Sequence, residues 1–278
     1  MIGRVCDNQF VLKSSERTIG GTVFFGSQTQ VNFIGPQHIE RLQQIDLIVV
    51  LRKDQQLKTW QQRFPKARIF LWLHTTKKWE FVFKRLLKPI QQTTLIGNSI
   101  THANHLNQQL HQNIFARLLT AVGIPNLQVE HGYNPVPKPE LHTPVIRKPN
   151  KLIFLSAPNK GLEEVLSHFQ QVKAAMPDMQ LYIANPGYRK AAEIDQAGVH
   201  ILGALPQANL WQHVAESLCV FYPQTTFAET FGLIYAEANA LGTPVLAHDI
   251  GAAKEILHPN NPLINCHNNE LVIKTLQQ

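Results

Sequence analysis

Nine short apolar segments alternate with helical patterns along this chain, and that alternation restricts its fold more than any other property. In the first half the segments are DLIVVL (46–51), ARIFLWL (67–73), TTLIG (93–97) and LQVE (127–130), with helical patterns at 77–88 and 102–121. In the second half they are KLIFLS (151–156), MQLYIA (179–184), VHILG (199–203), LCVFY (218–222) and TPVLA (243–247). Helices are expected there from near Gly161, Gln207 and Glu229. A strand that is apolar along its whole length must be covered on both faces, and successive parallel strands need helical crossovers. The class is therefore α/β with parallel sheets. In open sheets of this kind ligands bind beyond the C-terminal ends of the strands.

A length of 278 residues suits one large or two ordinary domains. The stretch GYNPVPKPELHTPVIRKPNK carries Pro135, Pro137, Pro139, Pro144 and Pro149, which excludes a helix or central strand and suits a linker. Two domains are expected, at 1–148 and 149–278. Charge divides at the same place: through Asn150 there are 19 basic and 8 acidic residues, and from Lys151 onward 7 basic and 11 acidic. The first half should attract an anionic partner, unless its charge serves only solubility. Cys6, Cys219 and Cys266 are odd in number and widely spaced, which argues for a reducing compartment and against a disulfide framework or a zinc site. No apolar run reaches transmembrane length and the N-terminus lacks the apolar centre of a signal peptide, so a cytoplasmic protein is expected.

The stretch ETFGLIYAEANALGTPVLA (229–247) poses a chemical question. Glu229 and Glu237 flank a segment that packs like a core helix, and buried carboxylates are costly unless something pairs with them. If the helix starts at or just after Glu229, the N–H groups of Thr230, Phe231, Gly232 and Leu233 are its unpaired first-turn donors. A phosphate could then sit on them, with the helix dipole behind. Glu237 would lie nearly above Glu229 on one helix face, and both carboxylates could accept hydrogen bonds from sugar and ribose hydroxyls. The plainer alternative is a helix-terminal acid plus a surface glutamate. LIFLSAPNKGLEEVL sets Lys160 and Gly161 between a strand and a helix, a second phosphate-type turn with a cation, or else a solvated turn lysine.

ETFGLIYAE, ALGTPVLA and GAAKEIL, preceded by SAPNKGLEEVL, VHILGALPQANLW and FYPQTTFAETFG, resemble the signature of family 4 glycosyltransferases (glycosyl transferases group 1) of the GT-B fold. The likeness covers 151–278. It is weaker in the first half, where IDLIVVLR, ARIFLWLHTT and TLIGNSITHANHL resemble later strands of an acceptor-side domain. The resemblance implies two Rossmann-like domains facing across a cleft. It also implies transfer of a sugar from a nucleotide-diphosphate-sugar with retention, no metal and no cofactor, the sugar nucleotide being the donor substrate. By position, Glu229 matches the residue approaching the donor-sugar hydroxyls, and Glu237 the one holding the ribose. Phe231, Gly232 and Leu233 match the turn that meets sugar and phosphate. Lys160 matches the lysine that neutralises the diphosphate, and Gly203, Ala204 and Leu205 the loop passing the nucleobase. His74 matches a histidine that reaches the transferred sugar from the other domain; otherwise it is a polar strand end facing water.

There are departures. Leu155 and Ser156 stand where the family places an arginine. Gly20 and Gly21 lead into TVFFG, a strand rather than a helix, so a shortened N-terminal domain is expected, and the chain stops at KTLQQ where the family continues into a further helix, which suggests a compact or truncated member. The absence of an Asp-X-Asp cluster fits a metal-independent site. The basic stretch HTTKKWEFVFKRLLKP mixes Lys77, Lys78, Lys84, Arg85 and Lys88 with Trp79, Phe81, Phe83, Leu86 and Leu87, which suits peripheral contact with an anionic membrane. The two-residue period of its aromatics fits a solvated loop or core helix instead. No nucleic-acid reading module surrounds it. A sugar-nucleotide epimerase or hydrolase, and a non-catalytic sugar-nucleotide-binding scaffold, remain as alternative functions. The base, sugar and acceptor stay open.

Overall fold

In a computed structural model the chain divides into two units, Met1–Tyr133 and Asn134–Gln278. The structure describes residues 21–25, 29–33, 45–51, 57–75, 93–121, 128–136, 138–141, 143–185 and 194–278. The helix expected over 77–88, the basic stretch around it, Cys6 and Gly20 lie outside those residues. The proline-rich stretch groups with the second unit, so this division falls earlier than position 148.

The first unit contains an antiparallel pair, β1 (Gly21–Phe25) and β2 (Thr29–Phe33). It also contains a four-stranded parallel sheet of β3 (Leu47–Leu51), β4 (Arg68–Leu73), β5 (Thr93–Gly97) and β6 (Val129–His131), in that order. Helix α1 (Leu57–Arg63) follows β3, while α2 (Ile100–Gln112) and α3 (Ile114–Ala121) follow β5. The pattern read as one helix over 102–121 is thus two, with Asn113 in extended conformation ending the first. Leu57, Leu71, Leu95 and Leu106 form the centre of this unit's core.

The second unit holds six parallel strands. Chain order gives β7 (Lys148–Leu155), α4 (Leu162–Ala175), β8 (Gln180–Ala184), β9 (Val199–Gly203), α5 (Gln207–Ala215) and β10 (Ser217–Tyr222). Then follow α6 (Leu233–Ala240), β11 (Val245–His248), the short α7 (Ala253–Ile256), β12 (Leu263–Ile264) and α8 (Asn269–Leu276). Spatial order is β12-β11-β10-β7-β8-β9. The chain starts in the middle, steps outward one way, then returns past β7 to step the other way. This is doubly wound Rossmann order, and its crevice for ligands lies where the direction reverses, between β7 and β10. The last five residues of β7 are buried, as a central parallel strand requires, whereas β9 at the edge exposes His200 and Ile201.

One expectation fails in a way that matters. Helix α6 starts at Leu233, not at or just after Glu229, because Gly232 takes a left-handed conformation (φ 79°) incompatible with an earlier start. The Glu229 carbonyl accepts instead from the N–H of Ala252 at 2.9 Å. Glu229 therefore lies outside the helix, and the shared helical face expected for Glu229 and Glu237 does not exist.

Candidate functional site

The strand order places the loops after β7 and β10 side by side. After β7, residues 157–160 form a tight turn closed by Lys160 N–H on the Ala157 carbonyl, and Gly161 (φ 82°) precedes α4. After β10, the loop 223–231 runs to Gly232. Neither α4 nor α6 has a side-chain cap at its N-terminus, in contrast to α2, capped by Ser99, and α8, capped by Asn268. A helix start without a side-chain acceptor keeps first-turn N–H groups for an outside anion.

Glu229 is buried at the centre of this crevice. Lys160 Nζ donates to its two carboxylate oxygens at 2.8 and 3.0 Å, and the Tyr222 hydroxyl donates to Oε1 at 3.2 Å. Side-chain exposure is 26% for Lys160 and 8% for Glu229, so the carboxylate is enclosed while the ammonium still reaches solvent. The same ammonium lies 4.8 Å above the Phe227 ring. The partner demanded by a buried glutamate is therefore the lysine of the other turn.

Ser156, standing where an arginine was expected, is buried beneath the site and brings no charge to it. Burial, together with the Glu229 charge, pushes the Tyr222 and Tyr235 phenols far above their ordinary range, so both stay protonated. The Tyr235 ring lies edge-on to Tyr222 and fills the space beside Gly232, where an added Cβ would come within 2.3 Å of it. Two further residues escaped sequence reasoning. Gly251 (φ 62°) lets the 251–252 turn approach the Glu229 backbone, since a Cβ there would lie 2.5 Å from the Glu229 carbonyl oxygen. Gln224 is buried beneath the β10–α6 loop. A glycine before a helix and a glutamine after a strand give no signal until their neighbours are known.

Phe231 and Gly232 are buried, and Leu233 is exposed at the start of α6. Glu237, one turn into α6, accepts from Gln207 Nε2 at 2.9 Å. Burial raises its carboxyl above the ordinary glutamate value. Gln207 opens α5 directly after the loop holding Gly203, Ala204 and Leu205, so this bond ties that loop to Glu237. Gly203 is left-handed (φ 68°), with open space around its Cα. His74 belongs to the first unit. It follows β4, half-buried, with its ring 5.8 Å from that of Trp72. Among the described residues, no three His, Cys, Asp or Glu side chains are grouped so that they could hold a metal ion.

Residues 143–278 match the family model described as "Glycosyl transferases group 1". This segment is a group 1 glycosyltransferase domain. The chain is 32% identical over 133 residues to the "GDP-mannose-dependent monoacylated alpha-(1-6)-phosphatidylinositol monomannoside mannosyltransferase" of Corynebacterium glutamicum, covering 44% of this chain and 34% of that protein. It is 30% identical over 118 residues to the phosphatidyl-myo-inositol mannosyltransferase of Mycobacterium tuberculosis, covering 40% and 31%. The matched part thus spans about a third of the length of these curated relatives. Among solved structures, TarM matches with a TM-score of 0.61 at 15% identity, over 84% of this chain and 47% of TarM. Anabaena HepE, solved with UDP and glucose, matches at 0.57 and 16%, over 84% of this chain and 67% of HepE. At such identities the likeness assigns the fold, which is GT-B. The group 1 domain contains all the candidate residues named above except His74.

Proposed function

We propose that this protein transfers a sugar from a nucleotide-diphosphate-sugar to an acceptor, with retention of anomeric configuration and without a metal ion. The observation that carries this reading is the meeting of Lys160 and Glu229 at the strand-order reversal, beside the uncapped start of α6. Cleavage of a sugar–diphosphate bond leaves an oxocarbenium-like sugar and an anionic leaving group, and fixed donors aimed at that anion lower the barrier. Lys160 Nζ and the first-turn N–H groups of α6 are such donors. When the diphosphate arrives, the ammonium exchanges one anion for another, which frees the Glu229 carboxylate to accept from donor-sugar hydroxyls. Glu237 takes the ribose hydroxyls in place of Gln207, and Gly203, Ala204 and Leu205 border the nucleobase. His74 is assigned to the transferred sugar.

The names of the relatives support GDP-mannose as the first donor to try and a phosphatidylinositol-type lipid as the first acceptor. A lipid acceptor in turn fits peripheral attachment at the cytoplasmic face of a membrane through the basic first half. Among the described residues no helix is long and apolar enough to cross a bilayer. The test is incubation with radiolabelled GDP- and UDP-sugars, with and without lipid and glycan acceptors. Transfer puts label in the acceptor and preserves the anomeric configuration of the donor sugar in the product. A new sugar nucleotide or free sugar identifies an epimerase or hydrolase, and binding without turnover identifies a scaffold. Abolition of transfer by a chelator would overturn metal independence.

A further inference from the structure

The two phosphate-type turns are joined by more than the Lys160–Glu229 pair. Gln224 opens the loop after β10, and its buried carboxamide acts as a substitute peptide group. Its Oε1 accepts from the N–H groups of Thr226 and Phe227 at 3.1 and 2.7 Å, while its Nε2 donates to the Phe227 carbonyl at 2.8 Å. Its aliphatic stem lies against Gly161 so closely that a Cβ on that glycine would be 2.4 Å from Gln224 Cβ. Only glycine at 161 admits this contact, so the residue next to Lys160 is shaped to receive Gln224. A second tie comes from the opposite direction. Glu164, in the first turn of α4, accepts from Thr225 N–H at 2.7 Å, from Thr225 Oγ1 at 2.8 Å, and from the Thr226 hydroxyl. The loop so held presents Phe227 beneath the Lys160 ammonium.

We propose that Gln224 and Glu164 are positioning residues that fasten the β10–α6 loop to the Gly161 turn and so set where Lys160 stands relative to Glu229. Neither side chain is assigned contact with substrate. Both act through Lys160, by fixing the Gly161 turn that follows it and the Phe227 ring under it. The choice of glutamine follows from its bonding. A carboxylate at 224 would keep the two accepted bonds but turn an anionic oxygen toward the Phe227 carbonyl, and a thioether would lose all three. The consequence for donor binding rests on the proposed function; the brace itself does not.

The experiment separates the two. The full chain and the variants Gln224→Glu, Gln224→Met, Glu164→Ala and the Thr225→Val/Thr226→Val pair are treated with a limiting amine acylator. Modification of Lys160 is then followed by peptide mass spectrometry, with exposed Lys274 as reference. Loosening the loop exposes an ammonium otherwise held by Glu229, so each variant should acylate Lys160 faster, by about tenfold for the loss of bonds to a charged group. The threonine pair changes only half-exposed and exposed positions, so it reports even if the Gln224 variants fail to fold. Unchanged Lys160 reactivity in the threonine pair and in Glu164→Ala would overturn the proposal. In parallel, GDP and UDP affinity should weaken in the variants while GMP and UMP affinity holds. Faster Lys160 labelling with no nucleotide bound by any version would retain the brace and sink the glycosyltransferase reading. Equal losses for mono- and diphosphates would show that the brace supports the domain generally and does not position Lys160.

Discussion

Lys160 and Glu229, separated by 69 positions in the sequence, meet in a two-pronged ion pair of 2.8 and 3.0 Å at the bottom of the crevice between β7 and β10. The pair makes each residue's contribution conditional on the other. Removing the lysine leaves an enclosed carboxylate with one hydroxyl donor, whereas removing both charges leaves neither debt.

A double-mutant cycle should expose this. Lys160→Met is expected to lower stability by about 3 kcal/mol, in the range found when a buried charge loses its partner, while Lys160→Met/Glu229→Gln should recover most of that loss. Urea unfolding at neutral pH reads both. Additive losses would show that the two side chains are stabilised independently.

Glu229→Gln keeps the shape and an acceptor for Lys160, so the domain should fold. Turnover should fall by roughly ten- to a hundredfold, as for a hydrogen bond to a charged group worth about 1.5–3 kcal/mol. Glu237→Gln should instead weaken nucleotide affinity and leave turnover at saturating donor nearly intact. Calorimetry with GDP and UDP would contradict the ribose assignment if affinity were unaltered.

Gly251→Ala tests how the glutamate is held. The added methyl would sit 2.5 Å from the Glu229 carbonyl oxygen, and the left-handed backbone adds roughly 1–2 kcal/mol of strain. The Glu229 backbone or the 251–252 turn must then shift, which disturbs the seat of the glutamate. The variant should lose turnover as Glu229→Gln does, although position 251 itself carries no reactive group; full activity would show that the turn is not a seat for Glu229.

Stability should fall on acidification. Burial lowers His102, His168 and His213 below the ordinary histidine value, so the unfolded chain binds more protons than the folded one below about pH 6.5. Their penalty grows as pH drops through that window. At Glu216 burial opposes ionisation, but hydrogen bonds from Lys148, Gln212 and Lys151 outweigh it and hold the carboxyl at about 2. Its contribution is present above about pH 4.5 and is lost as pH approaches 2. The urea midpoint should therefore decline from about pH 7.5 to pH 5.5 and fall further below pH 4. A midpoint that stayed flat between pH 7.5 and 5.5 would contradict the histidine argument.

Much of this was readable from residue order. Continuous apolar runs located the strands of both parallel sheets except the two-residue β12, because a doubly covered strand leaves no choice of side chain, whereas β12 is too short to form a run. TTLIG and VHILG match β5 and β9 in both bounds. Turn chemistry located Lys160 and Glu229 as separate signals. Their contact was not readable, since it depends on β10 pairing with β7 across the intervening β8 and β9. The start of α6 was misjudged because ETFG looks like a helix opening, and only the left-handed backbone at Gly232 shows that the helix begins beyond it. Gln224 and Glu164 gave no pattern at all, because their partners are backbone groups and hydroxyls on a distant loop.

The strand order also dictates how the domain is born. β7 emerges from the ribosome first of the six, yet the neighbour that completes its crevice, β10, follows only after α4, β8, β9 and α5 have been made. Contacts so far apart in sequence raise contact order and slow the final docking. Until then β7 has one unsatisfied edge, and its run of apolar side chains is a pairing template for other chains. Expression at reduced synthesis rates or with chaperone support should accordingly raise the soluble yield, by protecting a nascent half-sheet during the interval before β10 arrives.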